Sequence, residues 1–248
     1  MKKPKMVLFD YGNTLIHEDP FDARAGFEAI LDYATENPDG VTAAQLCRCN
    51  DELYDLFENN ANCYDVEVHH HCLFRALFHR CRLRFELPLE VLETLYWDTS
   101  SRGRAAPGIQ SVLFWLRTHG IRTGVVSNMS FSGSAMEERL RDRLPGSDFE
   151  FVMTSSEYGI RKPNALLFKA ALGLSGLPAE DIWFCGDNPV ADVTGCSGVG
   201  MFPVFYRHPE VYASTDLSLV KDIDHLYITH WDQFIPALEN STGIQIIK

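Results

Sequence analysis

The sequence predicts an α/β fold: a parallel sheet sandwiched by helices, with an α-helical bundle inserted after the first strand. Three observations carry this reading. Short apolar runs ending in small polar residues open the chain at Met6-Val7-Leu8-Phe9 and return from Ile121 onward, each followed by a segment of helical period. Strands that alternate with helices pair in parallel through right-handed crossovers. Between the first run and the return, roughly 80 residues keep a helical period with no strand among them, which describes a bundle. The division is residues 1–16 and 105–248 for the sheet and 17–104 for the insertion.

In the insertion, Phe27, Ile30, Leu31 and Ala34 recur at i, i+3, i+4, i+7. Leu46, Cys49, Leu53, Leu56 and Phe57 form a second stripe, with Thr42 as its N-cap. Phe74, Leu77, Phe78 and Cys81 form a third, and Val91, Leu92, Leu95 and Tyr96 a fourth. Pro107-Gly108 then precedes a helix marked by Ile109, Val112, Leu113 and Leu116, which Gly120 closes as a left-handed C-terminal residue. The strand Ile121–Asn128, a polar helix near Ser134–Leu144 and the strand Phe149–Thr154 follow. A loop at Tyr158–Asn164 leads to a helix carrying Leu167, Ala170, Ala171 and Leu174. Strands at Ile182–Cys185 and Met201–Phe205 and a helix near Trp231–Leu238 complete the pattern.

Composition narrows the class. A hydrophobic share of 46% over 248 residues is ample for a large core. The formal net charge of −12 argues against a general nucleic-acid binder, which needs a basic stripe, but leaves room for a small anionic ligand held by a few local cations. No apolar run reaches the length of a membrane span. The basic start, Met1-Lys2-Lys3-Pro4-Lys5, runs into too few apolar residues for a secretory core. Seven scattered cysteines, an odd number, point to a reducing, cytoplasmic setting rather than a disulfide framework. Oligomeric state is not legible.

Ligands of open α/β sheets gather beyond the carboxyl ends of the strands. Asp10 ends the first strand there, and Gly12 and Asn13 supply a turn whose N–H groups suit an anion. The other strand ends and loops offer Ser127-Asn128, Lys162, and Asp187 with Asp192. Taken singly, Ser127-Asn128 reads equally as a turn, Lys162 as a solvated loop lysine and Asp187 as a helix N-cap. Taken together and in order, these residues resemble the four motifs of the haloacid dehalogenase-like (HAD) hydrolase superfamily. The helical insertion after the first motif resembles its subclass I, in which a helical cap covers a Rossmann-like core.

The resemblance implies a Mg²⁺-dependent phosphatase of small phosphorylated metabolites. Asp10 would attack phosphorus to form an aspartyl-phosphate, dividing hydrolysis into two displacements. The Asp10 side chain, the Gly12 carbonyl and Asp187 would hold Mg²⁺, with Asp192 beside them or orienting Lys162. Ser127, the Asn128 N–H and the Gly12-Asn13 turn would bind the phosphoryl group, and Lys162 would balance its charge. The cap would close over the sheet edge, exclude water and read the leaving group.

One position departs from the pattern. Most phosphatases of this superfamily carry a second aspartate two residues after the nucleophile, as general acid and base, where this chain has Gly12. Tyr11, His17 or a cap histidine are the candidates to replace it; an acyl phosphate would need no such acid, and a slow or inactive enzyme is the third outcome. The different-class alternative is a non-catalytic member that binds a phosphorylated ligand or partner. A 2-haloacid dehalogenase is the third choice, disfavoured because both Asp187 and Asp192 are retained. The phosphonate hydrolases of this fold use a cap lysine, and no lysine occurs between Lys5 and Lys162.

His69-His70-His71-Cys72, with Cys47, Cys49, Cys63 and Cys81, invites a zinc reading. Adjacent helical histidines point about 100° apart and Cys47-x-Cys49 is not ligand spacing, so the histidines are placed at the edge of the bundle's apolar face. A lid contact by one of them or by Arg75 ranks below a solvated helix face.

Overall fold

The computed structural model describes residues 2–64 and 66–239, with backbone alone for 57–64. Six parallel strands form the central sheet in the order β10-β9-β8-β1-β6-β7. They are β1 (Met6–Phe9), β6 (Arg122–Ser127), β7 (Val152–Thr154), β8 (Ile182–Gly186), β9 (Phe202–Tyr206) and β10 (Leu226–Ile228). All four β1 residues are fully buried, as expected of a central strand covered on both faces. Successive side chains alternate between the two layers. Val7 and Phe9 join the core with Val125, Trp183 and Cys185, while Met6 and Leu8 join Val126, Phe168 and Phe184.

The helices of the sheet region are α5 (Ile109–Thr118), α6 (Gly133–Arg143), α7 (Ser155–Tyr158), α8 (Ala165–Ser175), α9 (Gly195–Ser197) and α10 (Phe234–Glu239). Gly120 takes the expected left-handed conformation, with φ of 67°, just beyond α5. The segment between consists of α1 (Ala23–Leu31), α2 (Ala43–Tyr64), α3 (His70–Arg80) and α4 (Leu89–Ser100). A two-stranded antiparallel ribbon stands at its entry and exit, β2 (Ile16–His17) beside β5 (Arg104–Ala105).

Several expectations need correction. The inserted segment is not free of strands, since β3 (Ala34–Glu36) pairs antiparallel with β4 (Arg84–Phe85). Ala34 fits the helical stripe by spacing only; α1 stops at Leu31, and Asn37, which exchanges hydrogen bonds with Val41, folds the chain back before α2. Leu56 and Val91 face outward rather than into the stripes assigned to them. Phe57 and Cys63 have side chains outside the described residues. The strand β10 lacks a sequence signal because its three residues lie between polar flanks. The N-cap at Thr42 is present: its Oγ1 accepts from Gln45 N at 3.4 Å, and Gln45 Oε1 accepts from Thr42 N at 2.8 Å.

Helices α1 and α4 meet at Gly26. A Cβ there would lie 2.6 Å from Tyr96 Cδ2 and 2.8 Å from the Tyr96 carbonyl oxygen. The backbone carbonyl cannot step aside as a side-chain tip would. Gly26→Ala is therefore expected to destabilise the protein by about 1–3 kcal/mol, the usual range for overpacking, read as a lower urea midpoint. An unchanged midpoint would mean the two helices can part without cost.

Candidate active site

The register of the sheet assembles the site. Phe9 pairs with Val125 on one side and Cys185 on the other, so Asp10, Ser127 and Asp187 leave the sheet at its carboxyl edge close together. Ser127 Oγ donates to Asp10 Oδ1 at 2.9 Å. Lys162 Nζ donates to the same Oδ1 at 2.7 Å, to Asp192 Oδ1 at 2.6 Å and to the Val126 carbonyl at 3.0 Å. A single ammonium thus bridges Asp10 and Asp192.

Two devices aim these groups. Asn128 clamps the Lys162 backbone, donating Nδ2 to its carbonyl at 2.9 Å and accepting its N–H on Oδ1 at 2.7 Å. Asp192 comes from a turn of π-helix, Pro189–Thr194, begun by Asn188. Its Oδ2 accepts from Asn188 N at 2.9 Å, so both carboxylate oxygens are engaged. Gly186 makes room for this side chain, since a Cβ there would sit 2.5 Å from that of Asp192.

Asp10, Asp187 and Asp192 are all buried, with carboxylate oxygens within 4.8 Å of one another. Burial pushes Asp187 up to about 8, and the charges of Asp10 and Asp192 add to the push. Burial raises Asp192 to about 6 while Lys162 opposes the rise. Burial works against the charge on Lys162, but Asp10 and Asp192 outweigh it and keep the ammonium protonated. Three carboxylates around one lysine leave an excess of negative charge and hard oxygen donors, which fits a divalent cation.

Gly12 and Asn13 form the turn after Asp10, with Asn13 in the left-handed region at φ of 54°. Asn13 reaches the carboxylates through a residue the sequence did not reveal. Tyr212 OH donates to Asp187 Oδ2 and lies 3.5 Å from Asn13 Nδ2. Arg207 stacks its guanidinium 3.3 Å from the Tyr212 ring centre and donates to the Asp187 carbonyl at 3.1 Å. Arg207 follows β9 directly, so the strand-end rule that finds Asp10 would have found it; Tyr212 carries no sequence signal.

None of the candidates to replace the missing acid hydrogen-bonds to this cluster among the described residues. Tyr11 is buried against Trp97, and its hydroxyl accepts from Arg139 Nε at 3.0 Å. Arg139 is itself fully buried and ties Tyr11 to the Ser101 carbonyl at 2.9 Å, which fixes the residue beside Asp10 to the end of α4. His17 packs on His208, with ring centres 5.0 Å apart. His70 is buried among Phe74, Tyr96 and Phe131, and His71 Nε2 bonds Glu93 Oε2 at 3.1 Å. The two histidines are thus buried where α3 meets the loop before α6, with His70 N–H donating to the Ser130 carbonyl at 2.8 Å, so neither lies on a solvated helix face. Arg75 is exposed on a groove with His79 and Arg82. Among the described residues no cysteine joins the His69, His71 and Glu93 group, so the mixed cysteine and histidine zinc set is not assembled.

A parallel α/β sheet with a carboxylate, a hydroxyl and a lysine converging at its central strand end defines an enzyme-like polar centre beyond the strand termini. The family model for haloacid dehalogenase-like hydrolases matches residues 4–200, and the chain belongs to that family. It is 30% identical over 215 residues to glyceraldehyde 3-phosphate phosphatase of Methanothermobacter thermautotrophicus, covering 86% of this chain and 89% of that protein. The protein of the same name from Pyrococcus furiosus is 31% identical over 140 residues, covering 56% of this chain and 57% of the relative. The chain thus spans a little over half the length of that relative. The solved structure of a 2-haloacid dehalogenase from Pseudomonas syringae pv. Tomato superposes with a TM-score of 0.63 at 22% identity, covering 97% and 100% of the two chains, and shares the fold.

Proposed function

We propose that this protein is a Mg²⁺-dependent phosphatase of small phosphorylated metabolites, acting through an aspartyl-phosphate on Asp10. The observation that carries the reading is the convergence of Lys162 Nζ and Ser127 Oγ on Asp10 Oδ1, at 2.7 and 2.9 Å. With Oδ1 so held, Oδ2 is the oxygen that attacks phosphorus, and the leaving oxygen departs with the bonding pair and takes its proton from solvent water. Lys162 stays cationic and neutralises the transferring group, and the Ser127 hydroxyl turns from Asp10 to a phosphoryl oxygen, joined by the Asn128 N–H and the Gly12-Asn13 turn. Water then attacks the phosphorus of the aspartyl-phosphate, the P–O bond to Asp10 breaks to return the carboxylate, and the water proton leaves to solvent. Mg²⁺ held by Asp10, Asp187 and the Gly12 carbonyl supplies neutralising positive charge, while Asp192 orients Lys162. Residues 17–104 act as the cap that covers the site. Free thiols at the described cysteines fit a cytoplasmic setting.

The relatives' names put triose phosphates on the test panel, with sugar, nucleotide, acyl and aryl phosphates beside them. Turnover that requires Mg²⁺ supports the reading. Phosphate binding without turnover would favour the regulatory alternative, toward which Gly12 and the Tyr212 contact with Asp187 point.

Gly12 itself can be tested by adding the missing group. A Cβ there meets nothing within 4 Å and the Gly12 φ is not positive, so the backbone accepts a side chain at this position. Gly12→Asp is expected to hydrolyse alkyl phosphates about tenfold faster or more, toward the range general acids supply, with little gain on acyl phosphates. No gain on alkyl phosphates would show that another group already delivers the proton, and an equal gain on both classes that the new carboxyl acts otherwise than as the acid.

A further inference from the structure

We propose that His17, His208 and Glu210 form a second cation site, for a divalent transition metal of the zinc type, where the β2/β5 ribbon meets the turn after β9. This stands independently of the phosphatase reading. Two imidazoles and a carboxylate are a donor set for zinc, and one ligand atom of each lies within 4.8 Å of the others.

The strongest pointer is His17. The residue is 2% exposed, and its Nδ1 is buried with no hydrogen-bond partner, 4.0 Å from Glu210 Oε2. Its other nitrogen, Nε2, sits 3.5 Å from Tyr206 OH, the kind of outer contact that fixes the ring of a metal-bound histidine. His208 brings Nδ1 to 3.9 Å from the same Glu210 oxygen; its lone pair now accepts the Glu210 N–H in a long contact of 3.3 Å, which a metal at Nδ1 would displace.

Closing the site requires little movement. Ligand atoms around tetrahedral zinc stand about 3.3 Å apart for bonds of about 2.0–2.1 Å. Glu210 is 57% exposed and free to swing the remaining distance. Its present partner, Arg104 Nη2 at 3.4 Å, is an exposed ion pair of small worth that a metal can displace. The other histidine group offers no such opening, because Glu93 already accepts from Ser132 N, Ser132 Oγ and His71.

A metal here would have a structural consequence. His17 pairs with Arg104 where the chain passes between sheet and insertion. The His208 carbonyl accepts from the N–H groups of Val211 and Tyr212, whose hydroxyl reaches Asp187. The ion would fasten the crossing ribbon to the turn that carries Tyr212.

The test is a Co²⁺ titration of the metal-stripped full chain in excess Mg²⁺, which occupies the all-carboxylate site, with Zn²⁺ as competitor. One equivalent with the visible absorption of nitrogen-ligated cobalt is expected. Glu210→Gln, an exposed change that leaves the fold alone, and His208→Gln should each weaken it about tenfold or more. Asp187→Asn and His71→Gln should not alter it. Absence of that absorption, binding indifferent to Glu210→Gln and His208→Gln, or loss tracking Asp187→Asn or His71→Gln would overturn the proposal.

Discussion

Replacing Asp10 by Asn is expected to lower phosphatase turnover by about 10⁴-fold or more while leaving the fold intact. The amide keeps the shape of the carboxylate but cannot attack phosphorus, and losses of this order follow removal of a covalent nucleophile. Stability should hardly change. Lys162 retains Asp192 and the Val126 carbonyl as acceptors, and the charge that helped push Asp187 up is gone. Steady-state rates with thermal melts separate the two effects. A variant that keeps even a tenth of the activity, well above the loss expected for a covalent nucleophile, would place the chemistry elsewhere.

Lys162→Met should show the largest stability loss. Its ammonium is 1% exposed and is the cation that Asp10 and Asp192 share. Removing the cation that two buried carboxylates share costs about 3–5 kcal/mol, because Asp10 and Asp192 are left with neutral donors alone, the Ser127 hydroxyl and the Asn188 N–H. Urea unfolding should show that loss, and excess Mg²⁺ should return part of it by supplying positive charge to the same oxygens. Lys169→Met, on an exposed helix face, should stay within about 0.5 kcal/mol of the parent. A loss below about 1 kcal/mol for Lys162→Met would mean that the carboxylates shed their charge without it. Turnover should fall with the Lys162 change even where Mg²⁺ restores the fold, since a metal does not replace a donor on Asp10 Oδ1.

The sheet and most of the site are legible in the sequence because a parallel sheet places the ends of its apolar runs on one edge. Asp10, Ser127 and Asp187 are the polar residues that stop β1, β6 and β8, so reading where hydrophobicity ends locates them. The same reasoning fails where contacts are long-range and lack a periodic mark. Tyr212 reaches Asp187 from a turn after β9, and Arg139 crosses from α6 to Tyr11, 128 positions away in sequence. The Asn128 side chain, expected to contribute only its backbone N–H, instead clamps the Lys162 loop. Ala34 shows the converse limit. A small residue satisfies a helical stripe and a strand equally well, and the pairing of β3 with β4, set by residues some 50 positions apart, decides between them. Spacing also places His70 and His71 near the apolar stripe but cannot show that both turn inward, His70 toward Tyr96 and Phe131 and His71 toward Glu93.

The central claim is that phosphate passes through a covalent bond to Asp10. Acid quenching during turnover of an aryl phosphate with Mg²⁺, followed by peptide mass mapping, tests it most directly. A phosphoryl adduct on the peptide that carries Asp10, absent from Asp10→Asn, is the predicted result. Undiminished turnover by Asp10→Asn, or turnover by the parent with the phosphoryl group trapped on a different residue, would contradict it.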